Sequence, residues 1–159
     1  MKFFLTTITL ALILFSCSNN KQVNVDFYSF EDNVWIESQK VNFDFKITKQ
    51  EDLLGNYCIR HMNNYRYQNI IMFKHHYFEN QLLSLDTLEI ELARDDGKWI
   101  GTGTLDIKEL NTSYSNYKRF NKGSHKFVFE LAMRDNNTPS IVKLENISEL
   151  GIYLSKKDV

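Results

Sequence analysis

Apolar residues recur at every second position through most of this chain, and that spacing dictates extended structure. Val41, Phe43, Phe45 and Ile47 alternate with Asn42, Asp44 and Lys46. Val23, Val25 and Phe27 alternate with Asn24, Asp26 and Tyr28, and Leu88, Ile90 and Leu92 with Glu89 and Glu91. Successive side chains of a strand point to opposite faces, so each run places one row on a core and one in water. Tyr57–Met62, Ile70–Phe78, Ser124–Met133 (with Phe127, Phe129 and Leu131 on one face) and Leu150–Ser155 add further strands. Residues 34–37 read as strand or bend.

Turn chemistry punctuates these runs. Asp95-Asp96-Gly97-Lys98 combines capping carboxylates with a glycine suited to positive φ. Residues 79–84 read as a turn. Trp99–Lys108 is interrupted by Gly101 and Gly103, as in a strand with a bulge or a close backbone approach. Residues 109–121 are polar and read as a long loop. Leu144, Ile147 and Leu150 recur at helical spacing and suggest a short helical turn. About eight or nine strands and no long helix predict an all-β fold, a two-sheet antiparallel β-sandwich with jelly-roll-like connections.

Composition agrees. The chain has 12 Phe, 8 Tyr and 2 Trp but a single proline, as suits strands, and asparagine is frequent at the breaks. A formal net charge of −1 leaves no field to attract nucleic acid.

The amino terminus is a separate unit. Lys2 precedes an apolar run from Phe3 to Phe15, closed by Ser16 and Cys17 and followed by polar Ser18, Asn19, Asn20 and Lys21. This is the order of a secretory signal peptide, and the run is short of the ~20 apolar residues that span a bilayer. A cysteine after Leu-Phe-Ser matches a bacterial lipobox. Residues 1–16 are then a lipoprotein signal peptide, Cys17 carries the lipid (diacylglycerol and, on the new amino terminus, palmitate), residues 17–22 form a tether and 23–159 the sandwich domain. No transmembrane helix is expected in the mature chain. Cys58 is left alone in a strand and reads as a small buried hydrophobe.

Catalytic and metal signals are weak. His75 and His76 are adjacent on a strand and point to opposite faces, while His61 and His125 are distant in sequence. No zinc-ligand spacing or cofactor fingerprint is present. Asp95-Asp96-Gly97 lacks the later ligands of a calcium loop. Ser124-His125 and Ser148-Glu149 lack a nucleophile elbow. The reading is a non-enzyme with no cofactor and no metal. Tyr65, Tyr67, Tyr114 and Tyr117 lie in or beside predicted loops, with Trp35 and Trp99, and are candidate partner-binding residues.

Several motifs in the second half act together: Asp86-Thr87-Leu88, Gly97-Lys98-Trp99, Gly101-x-Gly103, Asp106-Ile107-Lys108, Ala132-Met133-Arg134 and Ile147-x-x-Leu150-Gly151. With Trp35, the VNFDF strand and Cys17, this order resembles the GldH family of Bacteroidetes gliding-motility lipoproteins. The chain departs from that pattern at Thr104-Leu105, where an aromatic is frequent, and at Asn146, where glycine is usual. The resemblance implies a membrane-anchored cell-envelope lipoprotein that meets other gliding-machinery proteins as a non-enzymatic accessory or docking component. It implies that Asp86, Gly97, Trp99, Gly101, Gly103, Asp106, Met133 and Arg134 determine the fold and perform no reaction. The polar residues after Cys17 lack an acidic cluster, which favours a periplasm-facing domain. Two other readings remain open: a carbohydrate- or peptidoglycan-binding module using loop aromatics, and an envelope assembly factor in a species that does not glide.

Overall fold

A computed structural model describes residues 22–113, 117–135 and 138–156. The expected signal peptide, Cys17 and Tyr114 lie outside the described residues. Eleven strands are present among them: β1 (Gln22–Ser29), β2 (Val34–Ile36), β3 (Val41–Ile47), β4 (Glu51–Met62), β5 (Asn69–Phe78), β6 (Gln81–Glu91), β7 (Ile107–Ser113), β8 (Lys118–Phe120), β9 (Gly123–Leu131), β10 (Lys143–Glu145) and β11 (Ile147–Lys156). Every pairing is antiparallel.

One sheet has the order β1-β11-β4-β7, with β8 pairing the other end of β4. The second has the order β3-β9-β5-β6, and β2 and β10 form a separate ribbon. Apart from the β5–β6 hairpin and the β7/β8 pair, consecutive main strands change sheet. That interleaving is jelly-roll connectivity, and the fold is an all-β sandwich.

The core lies between the sheets. Tyr57 of β4 meets Phe129 of β9 edge-on at 5.8 Å between ring centroids, and Phe129 meets Phe43 of β3 at the same separation. β3 follows its sequence pattern residue by residue, with Val41, Phe43, Phe45 and Ile47 buried and the polar residues between them exposed. Leu88 and Ile90 of β6 and Leu92 just beyond it are likewise buried. The ribbon closes one end: Trp35 is fully buried, stacks on Phe30 at 4.9 Å and donates its indole N–H to the Gln39 carbonyl at 3.0 Å.

Elsewhere the structure departs from the sequence pattern. In β1, Asn24 adopts φ 54° and is an extra residue between the pairs Val23–Leu154 and Val25–Tyr153. This bulge reverses the faces beyond it, so Val25 and Phe27 turn outward and Tyr28 packs on the core. Residues 79–84 hold a turn of only two residues, Glu79 and Asn80, both at positive φ, and β6 starts at once. Residues 109–121 are not a loop but carry most of β7 and all of β8. These strands lie at a sheet edge, where one inward row suffices and polar residues fill the rest.

The expected helical turn near Leu144 is also absent. Asn146, at φ 67°, separates β10 from β11 and shifts the strand phase, so Leu144, Ile147 and Leu150 are all buried without a helix. Asparagine tolerates this left-handed conformation, which glycine adopts freely. Residues 99–106 form a loop rather than a strand, touching β7 through the Thr102–Glu109 bridge. The Asp95–Lys98 turn forms as expected: Gly97 lies at φ 79° and donates its N–H to the Arg94 carbonyl at 2.8 Å.

Candidate functional site

A row of charged side chains crosses the outer face of the first sheet because register sets Ser29, Glu149, Arg60 and Glu109 side by side on β1, β11, β4 and β7. Arg60 Nε donates to Glu109 Oε2 at 2.8 Å, and its Nη1 bonds Glu149 Oε2. Ser29 Oγ donates to Glu149 Oε1 at 3.2 Å, and Asn111 Nδ2 to Glu109 Oε1 at 2.7 Å. The hydrogen bond to Glu109 raises the Arg60 pKa further, against a smaller opposing effect of burial. The same bond from Arg60, with that from Asn111, holds the Glu109 carboxyl below the usual carboxylate range. Neither group exchanges a proton near neutral pH. The row offers charge recognition.

Beside it runs a groove of about 790 Å³ whose far wall is the loop 102–107. Two glycines press this loop onto β7. A Cβ at Gly101 would lie 2.8 Å from the Glu109 carbonyl oxygen, and one at Gly103 would overlap the Ile107 carbonyl oxygen. Thr102 and Glu109 exchange backbone bonds at 3.0 and 2.8 Å, and Asn63 ties down the tip through the carbonyls of Leu105 and Asp106. The tip presents Leu105, 91% exposed and at φ 57°, an unusual conformation for a leucine. A fixed loop thus holds an apolar side chain in water beside a charged row. Phe27 borders the same face, its ring under the Arg60 guanidinium at 5.3 Å.

The tyrosines do not form one surface. Tyr65 is buried at 4% exposure, donates its hydroxyl to the Asn69 carbonyl at 2.8 Å and belongs to the core, which corrects its reading as a partner-binding residue. Its loop folds inward because this tyrosine packs against Trp99 and His61. Tyr67 is half-buried edge-on to Tyr65, under the Arg66 guanidinium. Tyr117 is 39% exposed but precedes β8, at the opposite end of the sandwich. Trp99 is half-buried, 4.5 Å from the His61 ring.

The remaining motif residues are dispersed. Asp86 pairs with Lys74 at 3.0 Å, Met133 is buried with its sulfur accepting the Ile71 N–H, and Asp106 and Arg134 are exposed.

Sequence spacing missed three buried polar sites. His76 Nε2 lies 3.0 Å from His125 Nδ1, and His125 Nε2 lies 2.9 Å from the Asn121 carbonyl. Burial, with His125 and nearby lysines, lowers the His76 pKa to about 4. Lys74 is buried, which lowers its pKa, with Asp86 opposing. His61 is buried with Nδ1 3.0 Å from the Met62 carbonyl and no partner for Nε2. No cluster of three or more metal-ligating side chains occurs among the described residues. Cys58 is a buried free thiol, raised to about 11 by burial. The alternation of faces expected for His75 and His76 is observed: His75 approaches Glu130 at 3.2 Å on the outer face.

Residues 22–154, nearly the whole described sandwich with the groove and its glycine-pinned loop, match the family model described as GldH lipoprotein. The chain belongs to the GldH lipoprotein family. A relative from Christiangramia forsetii, described as a gliding motility lipoprotein GldH homolog, is 33% identical over 152 residues, covering 92% of this chain and 91% of the relative. The gliding motility lipoprotein GldH of Flavobacterium johnsoniae is 32% identical, covering 93% and 92%. Among solved structures, a family 35 carbohydrate binding module from Clostridium thermocellum is similar at 10% identity and a TM-score of 0.41, covering 82% of this chain and 98% of that one. Dimeric latent PorU from Porphyromonas gingivalis is similar at 7% identity and 0.34, covering 84% and 13%. At those scores neither bears on ligand or activity. Of the motifs that carry the resemblance in the sequence, three fall on the hairpin turn at Gly97, the loop at Gly101 and Gly103, and the Lys74–Asp86 pair. No helix among the described residues is long and apolar enough to cross a membrane.

Proposed function

We propose that this GldH-family protein is a lipid-anchored, non-enzymatic docking component of the gliding machinery, held to the cell envelope through Cys17 and facing the periplasm. The observation that carries this reading is the match along nearly the whole chain to relatives named gliding motility lipoproteins. The geometry suits docking. Arg60 and Glu109 are held in their charged states, and the most exposed apolar residue of the groove, Leu105, sits on a braced loop. Protein interfaces set an apolar centre within a polar rim, and arginine is among the side chains that carry most of their binding energy. The carbohydrate-binding reading loses its stacking platform, since Trp35 is buried and Trp99 packs on His61.

The test is complementation in a gliding host. Deletion of the gene should stop spreading on agar, and the wild-type gene should restore it. Cys17→Ala should release the protein from membranes and fail to complement. Leu105→Asp should stay anchored and folded yet fail to complement. Normal spreading by the deletion strain rejects the motility role. Full complementation by Leu105→Asp rejects docking through this groove.

A further inference from the structure

The four sheet edges of the sandwich are unequally defended. β1 carries the Asn24 bulge, and the Asp26 carboxylate takes the Phe27 N–H at 2.9 Å. β3 bears Asp44 and Lys46 on its outer row. The edge opposite β1 is divided between β7 and β8, and β8 brings Lys118 and Arg119. β6 is the last strand of the second sheet and runs for 11 residues; Leu83 is an extra residue between the pairs Tyr77–Leu82 and His76–Ser84, and the regular stretch beyond this bulge, Ser84 to Glu91, contains no lysine, arginine or proline. Its near half exposes Leu82, Leu83 and Leu85, and its far half exposes Glu89 and Glu91. Long apolar edges are templates for further strand pairing, and folded proteins ordinarily blunt them.

A second observation coincides with this edge. A cleft of about 460 Å³ runs between β6 and β7, floored by Leu88, Ile90, Ile100 and Leu110 and flanked by Glu89 and Glu91, with no basic residue in its lining. A strand laid along β6 would send alternate side chains into this cleft and the others across the outer face, beside the two glutamates.

We propose that β6 accepts an extended segment of a partner protein as a fifth strand of the second sheet, and that this segment alternates apolar residues, entering the cleft, with basic residues, meeting Glu89 and Glu91. The inference deepens the docking reading and rests on it. A second copy of this chain is a poorer occupant. Antiparallel self-pairing about the middle of β6 sets Glu89 and Glu91 against the leucine half of the other copy, where no cation awaits them.

The test uses the full-length lipidated protein in neutral detergent and a fluorescent octapeptide of alternating valine and lysine at physiological salt. Anisotropy should show saturable binding, and amide exchange should slow along β6. Two N-methylated peptides follow, one blocked at the valines and one at the lysines. Alternate strand amides face opposite sides. One peptide should therefore lose at least about tenfold in affinity while the other binds as before.

The paired substitution Glu89→Lys and Glu91→Lys, on outward-facing positions and checked for folding by circular dichroism, should also weaken binding by about tenfold or more. Absence of saturable binding, or equal effects of the two methylation patterns, overturns the proposal. So does a concentration-dependent dimer in sedimentation that Leu85→Lys dissolves, since the occupant is then a second copy. A strain that loses spreading through Leu105→Asp, with a protein that ignores the peptide, rejects the strand while leaving the docking reading intact.

Discussion

The two ends of this sandwich handle polar groups in opposite ways. At the end where β1 begins, His76 and His125 face each other between the sheets, ringed by Phe78, Phe120 and Phe127, and Lys74 is buried nearby against Asp86. At the other end Arg60 shares its charge between Glu109 and Glu149 on a half-exposed face. A buried ion needs its partner to exist at all, whereas a solvated ion pair adds little to folding. The first arrangement therefore bears on stability, and the second is free to serve recognition.

The largest expected effect breaks the buried end. Asp86→Ala removes the carboxylate paired with Lys74, whose side chain is 5% exposed, and should cost on the order of 3 kcal/mol in urea unfolding. Replacing both partners, by Lys74→Met with Asp86→Leu, should recover most of that loss. A double variant as unstable as the single one would show that the pair is not the cause.

Gly97→Val, in the hairpin that leads into Trp99, calibrates the scale. A Cβ there meets nothing within 4 Å, so its cost is the positive φ of 79° alone, roughly 1–3 kcal/mol by thermal or chemical unfolding.

Acid sharpens the comparison. His76 titrates near 4 when folded, well below the ordinary histidine value of 6.5, so the unfolded chain takes up its proton first. Stability from this group is intact above pH ~6.5 and falls as pH drops toward ~4, by about 1 kcal/mol at pH 5.5. His61, lowered in the same direction by burial, adds to the slope. Melting curves from pH 7.5 to 4.5 should show the fall, and His76→Phe should flatten it. An unchanged slope in that variant would place the titrating group elsewhere.

The smallest effect on stability belongs to the other end. Arg60→Ala should change unfolding by no more than about 1 kcal/mol yet abolish complementation of spreading. A loss as large as that of Asp86→Ala would mean that the row holds the fold together rather than meeting a partner.

How much of this was legible follows from the physics of each signal. Alternation in β3, and the two aspartates before Gly97, act locally and are visible in a few residues. The Asn24 bulge is invisible because one residue in a left-handed conformation inverts every face after it without altering composition. Leu144, Ile147 and Leu150 imitate a helix because the Asn146 turn shifts the strand phase. Tyr65 reads as an exposed loop aromatic until the loop is seen to fold onto Trp99 and His61. The Arg60 row and the His76–His125 pair join residues about 50 to 120 positions apart, and pairing register alone brings them together. Glycine spacing at Gly101 and Gly103 did signal a close backbone approach, though of a loop rather than a strand.

Jelly-roll connectivity carries a mechanical consequence. The tether would enter β1 at Gln22, paired with Ser155, while the Arg60 row meets β1 at its far end, where Ser29 pairs with Glu149. Those points are separated by the length of an eight-residue strand, roughly 25 Å. Tension between a membrane anchor and a partner in the groove would run lengthwise down β1. Its ladder to β11 would then be sheared as a whole, with every rung sharing the load, instead of being unzipped one rung at a time.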